Sequence, residues 1–237
     1  GPHDGSFLWE QAIAAQVGPE HPGRVVVAAA GNSGSIVDTP IHQSVRVSPG
    51  TTMRVPIVTG GAEAGAVQVW ITLRPGASLK IGLDGPDGEW VAPIEAGTER
   101  GKNTADYNAG VVYGSGLPSS PIPDGSNGAI VVWQGKWPKG VYDITLEGSG
   151  MAELYMQAVG DAAAKASFAN GVREGTVNLP ATHPSIIGVG CTVDRVRWTS
   201  IGGADIALRV GNLDVEGARR QISIARDAGV NIFDTAD

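Results

Sequence analysis

One cysteine in 237 residues, Cys191, excludes an internal disulfide and a cysteine-built structural zinc site. Its setting, IIGVGCT, is apolar and reads as a buried, inert thiol. Charge is scarce too: Asp, Glu, Lys and Arg make up 17% of the chain, against roughly 25% in soluble domains. Acidic residues outnumber basic ones by 24 to 17, for a net charge of −7. Without clustered lysine and arginine there is no electrostatic footprint for nucleic acid or an anionic lipid surface. No stretch reaches the ~18 consecutive apolar residues of a membrane span, and no segment repeats at a fixed period. The one excess is glycine, with 35 residues, about twice its usual share of roughly 7%. These glycines follow no three-residue period, which excludes collagen, and the runs of Val, Ile and Leu set the chain apart from disordered sequences. What remains is a turn-rich globular chain, long enough for one large domain or two small ones at roughly 100–200 residues each. It opens on GPHDG without a methionine and closes on FDTAD. Both ends read as cuts, so a missing leader carries no information on compartment.

Three kinds of pattern succeed one another along the chain. Ser6 is placed to cap a short helix with Trp9, Ile13 and Val17 at helical spacing, stopped by Gly18 and Pro19. RVVVAAAG, residues 24–31, then has the continuous apolar character of a strand buried on both faces, as parallel sheets require. It ends on the polar turn GNSGS. From about Ile41 to Val159 short strands alternate with Gly/Pro/Asp turns, including IHQSVRV, TMRVPIV, AVQVWITL, GAIVVW, GVYDITLE and MAELYMQAV. Such spacing predicts a β-sandwich or jelly roll. Residues 97–128, rich in Asn, Ser, Pro and Gly, read as a long loop carrying one short strand. After Ala163 the pattern returns to a polar loop and a buried strand over 185–190. The last 25 residues or so predict a helix capped by Asp214 and ended by Gly229, then a short strand leading to Asp234.

AAAGNSG, residues 28–34, carries the strongest chemical signal. A buried strand that delivers an asparagine between two glycines sets a carboxamide N–H at the carboxyl edge of a sheet. There it can meet a developing oxyanion, while the glycines allow a sharp turn and close backbone approach. A plain turn after a strand is the other reading of the same residues. Trp70, Trp90, Trp133 and Trp137 read as core and edge packing, or as a sugar- or peptide-binding platform. Asp84 and Asp87 lie in the acidic turn LDGPDGE, whose spacing departs from the D-x-[DN]-x-[DN]-G calcium loop.

VVVAAAGNSG resembles the oxyanion-hole segment of the subtilisin-like serine peptidases, and NLPATHPSIIGVGCTV resembles the loop and strand that follow it in that family. GPHDGSFLWEQAI fits the helix that precedes the asparagine strand. The resemblance implies that Asn32 is the oxyanion-hole donor, that Ala29 and Gly31 line the substrate pocket with backbone, and that the substrate is a peptide or protein. It also implies a secreted or periplasmic setting, with no cofactor and no metal. The family's mechanism needs a serine nucleophile, a histidine base and an orienting aspartate, carried in D-[ST]-G, HGT and GTSMA segments. None of these strings occurs here, and His3, His21, His42 and His183 all lie outside the family's catalytic context. The chain therefore reads as an internal piece of a peptidase, inactive without the remainder of that domain. Its β-region is an insertion of the kind surface loops tolerate.

A second resemblance covers the carboxyl end. VGNLDVEGARRQISIARDAGVNIFDTAD is similar to the first helix and second strand of aldo-keto reductases, which implies that Asp234 matches their catalytic aspartate, with NADPH as cofactor. No phosphate-binding glycine loop accompanies it. A junction between two unrelated patterns is expected near residues 208–211. The expected fold class is mixed: a partial α/β sheet, residues 1–36 and 166–209, interrupted by an all-β jelly-roll insert over 37–165, with a helix–strand tail over 210–237. The alternatives for function are a non-catalytic β-sandwich binding module and a carbonyl reductase.

Overall fold

The computed structural model describes residues 1–31, 33, 40–160, 166–190, 197–199, 202–203 and 205–207. Cys191, Asn32, Asp214, Gly229 and Asp234, with the whole 210–237 tail, lie outside the described residues. The described part is mainly β, with one α-helix, α1 (Leu8–Ala14), among the described residues.

Nine strands form one antiparallel system: β2 (His42–Thr59), β3 (Ala62–Leu73), β4 (Ser78–Gly85), β5 (Gly88–Ile94), β6 (Thr98–Asn103), β7 (Tyr107–Tyr113), β8 (Gly128–Trp137), β9 (Gly140–Gly160) and β10 (Ala166–Phe168). Their order is β10-β2-β9-β3-β8-β7-β6, with β4 paired to β9 and β5 to β4. The two long strands explain how one sheet becomes a sandwich. β9 pairs with β4 through residues 143–149 and with β3 through residues 152–160, while β2 follows it along both halves. Both strands therefore run through both layers, and they bend together where the β2 register shifts between Val47 and Thr51. Gly148 makes the bend possible, because its φ is +124° and a Cβ there would lie 2.2 Å from the Ser78 carbonyl oxygen.

The apolar alternation of each strand points into the space between the layers. Val55 and Ile57, Val67 and Val69, Ile81 and Leu83, and Ile144 and Leu146 are all fully buried there, each worth ~1.5–3 kcal/mol in transfer free energy. Trp133 stacks on Tyr142 across the core at 5.1 Å, and Trp90 stacks on Tyr107 at 4.1 Å. Burial pushes the Tyr142 phenol up, and its hydroxyl donates to the Pro138 carbonyl at 2.9 Å. The four tryptophans at 70, 90, 133 and 137 are between 0% and 7% exposed, so they pack the interior and the platform reading is set aside. Asp84 accepts from Arg54 and Asp87 from the Trp90 indole N–H, so protein donors engage both carboxylates of that turn.

A second apolar cluster lies on the outer face of β3, β7, β8 and β9, built from Trp70, Val112, Ile130 and Tyr155 with Ile122. Phe7 and Leu117 cover it, and Phe7 meets Trp70 edge-on at 5.6 Å. These strands are thus buried on both faces, which is why VWI and AIVV are continuous apolar runs.

Several expectations need correction. The paired segments IHQSVRV/TMRVPIV and GVYDITLE/MAELYMQAV are single strands, β2 and β9, because the intervening SPGT and EGSG bend the ladder without reversing it. The 97–128 region contains a hairpin, β6–β7, rather than one strand. Phe7, not Ser6, is the N-cap of α1, and no side chain caps it; the Ser6 hydroxyl bonds Asp4 instead. The buried face of α1 carries Glu10 and Ala14, while Trp9 is 41% exposed.

Residues 24–31 yield only a short strand, β1 (Val27–Ala29), which pairs in parallel with β11 (Ile187–Val189). Contrary to the burial expected from its sequence, β1 exposes Val27 at 59%, and β11 exposes Ile187 at 52%. Two further short strands, β12 (Arg197–Thr199) and β13 (Asp205–Ala207), form an antiparallel pair. With its core inside the sandwich, amide exchange should be slowest over residues 41–159 and faster at β1 and β11. Equal protection of β1 and of β8, measured by exchange mass spectrometry, would contradict this picture.

Candidate functional site

The carboxyl end of β1 is held by main-chain bonds. The Ile187 amide donates to the Val26 carbonyl at 3.0 Å, and the Ala30 amide donates to the Val189 carbonyl at 2.8 Å. The Asn178 amide donates to the Ala30 carbonyl at 2.9 Å. The strand thus arrives at Gly31 with a fixed backbone and an exposed surface at Ala29 and Gly31.

Gly31 has φ +81°, and a Cβ there would lie 2.3 Å from Nδ2 of Asn178. Both the backbone conformation and the neighbouring carboxamide therefore demand glycine. Ala29, Gly31 and Asn178 come together at one strand end. Asn32, the residue expected to donate to an oxyanion, follows Gly31 directly and lies outside the described residues, as does Asp234.

Asn178 is the residue the sequence did not disclose. It sits in an otherwise plain polar loop, EGTVNLPATHP, and its place beside Gly31 is fixed by the bond from its amide to the Ala30 carbonyl, between segments far apart in the chain. The peptide between Leu179 and Pro180 in this loop is cis.

Two buried acids brace the loop. Glu10 of α1, fully buried, accepts a hydrogen bond from the Thr182 hydroxyl, and burial raises its pKa. Glu153 of β9 is also buried; that burial pushes its carboxyl up, but hydrogen bonds from Arg74, His42 and Ser44 outweigh it and leave the net shift downward.

Three of the four histidines are engaged structurally. His183 Nδ1 accepts from the Ser185 amide at 3.0 Å, and His3 Nδ1 donates to the Val177 carbonyl at 2.7 Å. His42 forms the only His–carboxylate ion pair among the described residues, with Nε2 donating to Glu153 at 3.0 Å. Its Nδ1 donates to the Glu174 carbonyl at 2.6 Å. Both ring nitrogens are thus engaged by protein oxygens, and neither is free to act as a general base. His42 and Glu153 do not form the base and orienting acid of a triad.

The fold as a whole has a counterpart among solved structures. The chain resembles the CspB protease of Clostridium perfringens. The TM-score is 0.59 at 17% identity, and the match covers 79% of this chain and 38% of the CspB chain. At that identity the likeness to CspB speaks for the fold alone, and this chain spans well under two thirds of CspB's length. No protein-family model and no curated protein matches the chain.

His3 makes the region sensitive to acid. Burial lowers its pKa to about 4, an effect its bond to Val177 only partly offsets, and its ring stacks on Tyr155 at 4.1 Å. The fold favours neutral His3, so this contribution is complete above the ordinary histidine value of ~6.5 and is lost as pH falls from there toward 4. Glu10, with its raised pKa, acts in the opposite sense and favours the fold at low pH. Urea midpoints should therefore fall between pH 7 and pH 4.5, and His3→Gln should flatten that dependence. An unchanged slope in the variant would remove His3 as the cause.

Proposed function

We propose that the chain is part of a subtilisin-like serine endopeptidase, which cleaves peptide bonds through an acyl-enzyme, with the β-sandwich inserted between its oxyanion strand and the strand that follows. One observation supports this reading: β1 pairs in parallel with β11, and Gly31 at its carboxyl end lies against Asn178. The backbone at Ala29 and Gly31 is open to a peptide or protein substrate, and Asn32 would donate to the tetrahedral oxyanion as the carbonyl is attacked.

The nucleophile, base and orienting carboxylate would come from the remainder of the peptidase domain, since the D-[ST]-G, HGT and GTSMA segments are not in this sequence. The exposed apolar side chains of β1 and β11 support that view. Val25, Val27, Ile187 and Val189 are 50–64% exposed, whereas parallel strands are ordinarily covered on both faces. Packing against the rest of the domain would cover them. A secreted or periplasmic setting goes with this family. The reductase reading, with Asp234 and NADPH, rests on sequence resemblance outside the described residues.

A fluorophosphonate probe tests the proposal directly, because it reacts with an activated serine and little else. The full-length protein should be labelled covalently and should hydrolyse a peptide substrate. The 237-residue chain alone should do neither. Labelling of that chain, or an unlabelled and inactive full-length protein, would overturn the reading.

A further inference from the structure

The β-sandwich joins the rest of the chain through a neck, and His42 stands in it. On the incoming side, the Ile41 carbonyl accepts from the Met156 amide at 2.8 Å. On the outgoing side, the Val172 amide donates to the His42 carbonyl at 2.7 Å, closing an isolated bridge between these residues.

Beyond Val172 the chain runs as an irregular segment to Asn178, and irregular backbone needs partners for its carbonyls. Side chains supply three. Glu174 O accepts from His42 Nδ1 at 2.6 Å, Gly175 O from the Tyr155 hydroxyl at 3.1 Å, and Val177 O from His3 Nδ1 at 2.7 Å. The three rings are stacked, with His42 and His3 lying on Tyr155 at 4.5 and 4.1 Å. Gly175 passes so close that a Cβ there would lie 3.0 Å from Cε1 of His42.

The anchor of this stack is ionic. His42 Nε2 donates to Glu153, whose other oxygen accepts from Arg74 Nε and Nη2 at 3.1 and 2.9 Å. His42 and Glu153 are each at most 8% exposed. The imidazole is thus held at both ring nitrogens, and Arg74 fixes Glu153 in turn.

We propose that His42 is a positioning residue: from the neck of the β-sandwich it fixes the 174–178 segment, and through that segment holds Asn178 against the Gly31 end of β1. The clamp itself is a statement about the fold, and only its bearing on turnover rests on the peptidase reading.

Residue-level hydrogen exchange on the full-length protein separates the two. His42→Ala should speed exchange of the Val172 and Asn178 amides by about tenfold or more, since a lost charge-assisted hydrogen bond is of that size. Core amides such as those of Ile57 and Val131 should keep their wild-type rates. His42→Asn, whose amide retains a donor for Glu174, should recover most of the protection. If His42→Ala exchanges globally, Glu153→Gln replaces it, with the same two amides expected to loosen over an intact core. Wild-type exchange at Val172 and Asn178 in a folded variant overturns the clamp.

Peptide hydrolysis is the second arm. His42→Ala should lower kcat by about tenfold to a hundredfold with KM little changed, as misplacement of a positioned group does. The control Ile57→Val should lower the melting temperature and spare kcat. Loosened amides with wild-type kcat overturn the positioning role. A wild-type protein without peptidase activity counts against the peptidase reading, and exchange still decides the clamp.

Discussion

Replacing Trp133 by alanine is expected to destabilise the sandwich by ~3–5 kcal/mol, a large part of the ~5–15 kcal/mol that holds a typical domain together. The side chain is fully buried, stacks on Tyr142 within 4° of parallel and meets Trp137 edge-on at 6.3 Å. Its loss removes the transfer energy of the largest core residue and leaves a void between two layers that the bent strands β2 and β9 hold apart. Aromatic pairing adds about 0.5–1.5 kcal/mol to that loss. Trp133→Phe should cost far less. The indole N–H finds no protein acceptor among the described residues, so phenylalanine keeps much of the stacking and sheds a buried donor that the protein does not bond. Urea unfolding followed by circular dichroism would read both variants. Nearly equal midpoints for Trp133→Ala and wild type would mean that the core is not organised around this residue.

The aromatic and β-branched residues that form this core also make the sandwich legible in the sequence. Alternation over AVQVWITL and the apolar run GAIVVW mark strands correctly, because one face of each strand, or both, has to be buried. Connectivity is harder to read. SPGT and EGSG have the composition of hairpin turns, yet they lie opposite each other in β2 and β9 and bend the pair together. A glycine with positive φ serves a turn and a bend equally well, so composition alone does not separate the two. β6, TERGKN, escapes the pattern for another reason. It is a mostly exposed edge strand with charge on both faces, and so it has no hydrophobic period to detect.

The candidate site is legible only in part. AAAGNSG marks the strand end because glycine, asparagine and a buried-type run coincide there. Asn178 carries no such mark, since its contact with Gly31 joins segments far apart in the chain, and sequence spacing does not encode it. His42 stands out in the sequence only for lying outside a catalytic context. Its partners Glu153 and Glu174 are brought to it by the closure of the sandwich neck. The apolar run of β1 has the composition of a buried strand, and here its valines face outward. Sequence reports that such a strand requires cover, and under the peptidase reading the remainder of that domain would supply it.

Under the peptidase reading, Asn32→Ala in the full-length protein should lower kcat by about 10²–10³ with KM little changed, the loss that follows removal of the oxyanion-hole donor in subtilisin. The split between kcat and KM follows from when the bond forms. A carboxamide N–H aimed at the oxyanion position gains most once negative charge has developed, so its removal weakens the transition state and leaves substrate binding nearly intact. Asn32→Asp should be at least as damaging, because a carboxylate of the same shape opposes the developing charge. Melting temperatures should stay close to wild type for both variants, which separates a lost donor from a lost fold. Gly31→Ala tests the neighbouring backbone independently. A Cβ at Gly31 would overlap the Asn178 side chain, and φ +81° strains any L-residue there. Activity should fall, and adding Asn178→Ala should restore only part of it, since the clash is relieved while the backbone strain remains. Full restoration would assign the defect to the clash alone, and undiminished turnover in Asn32→Ala would remove the asparagine from the mechanism.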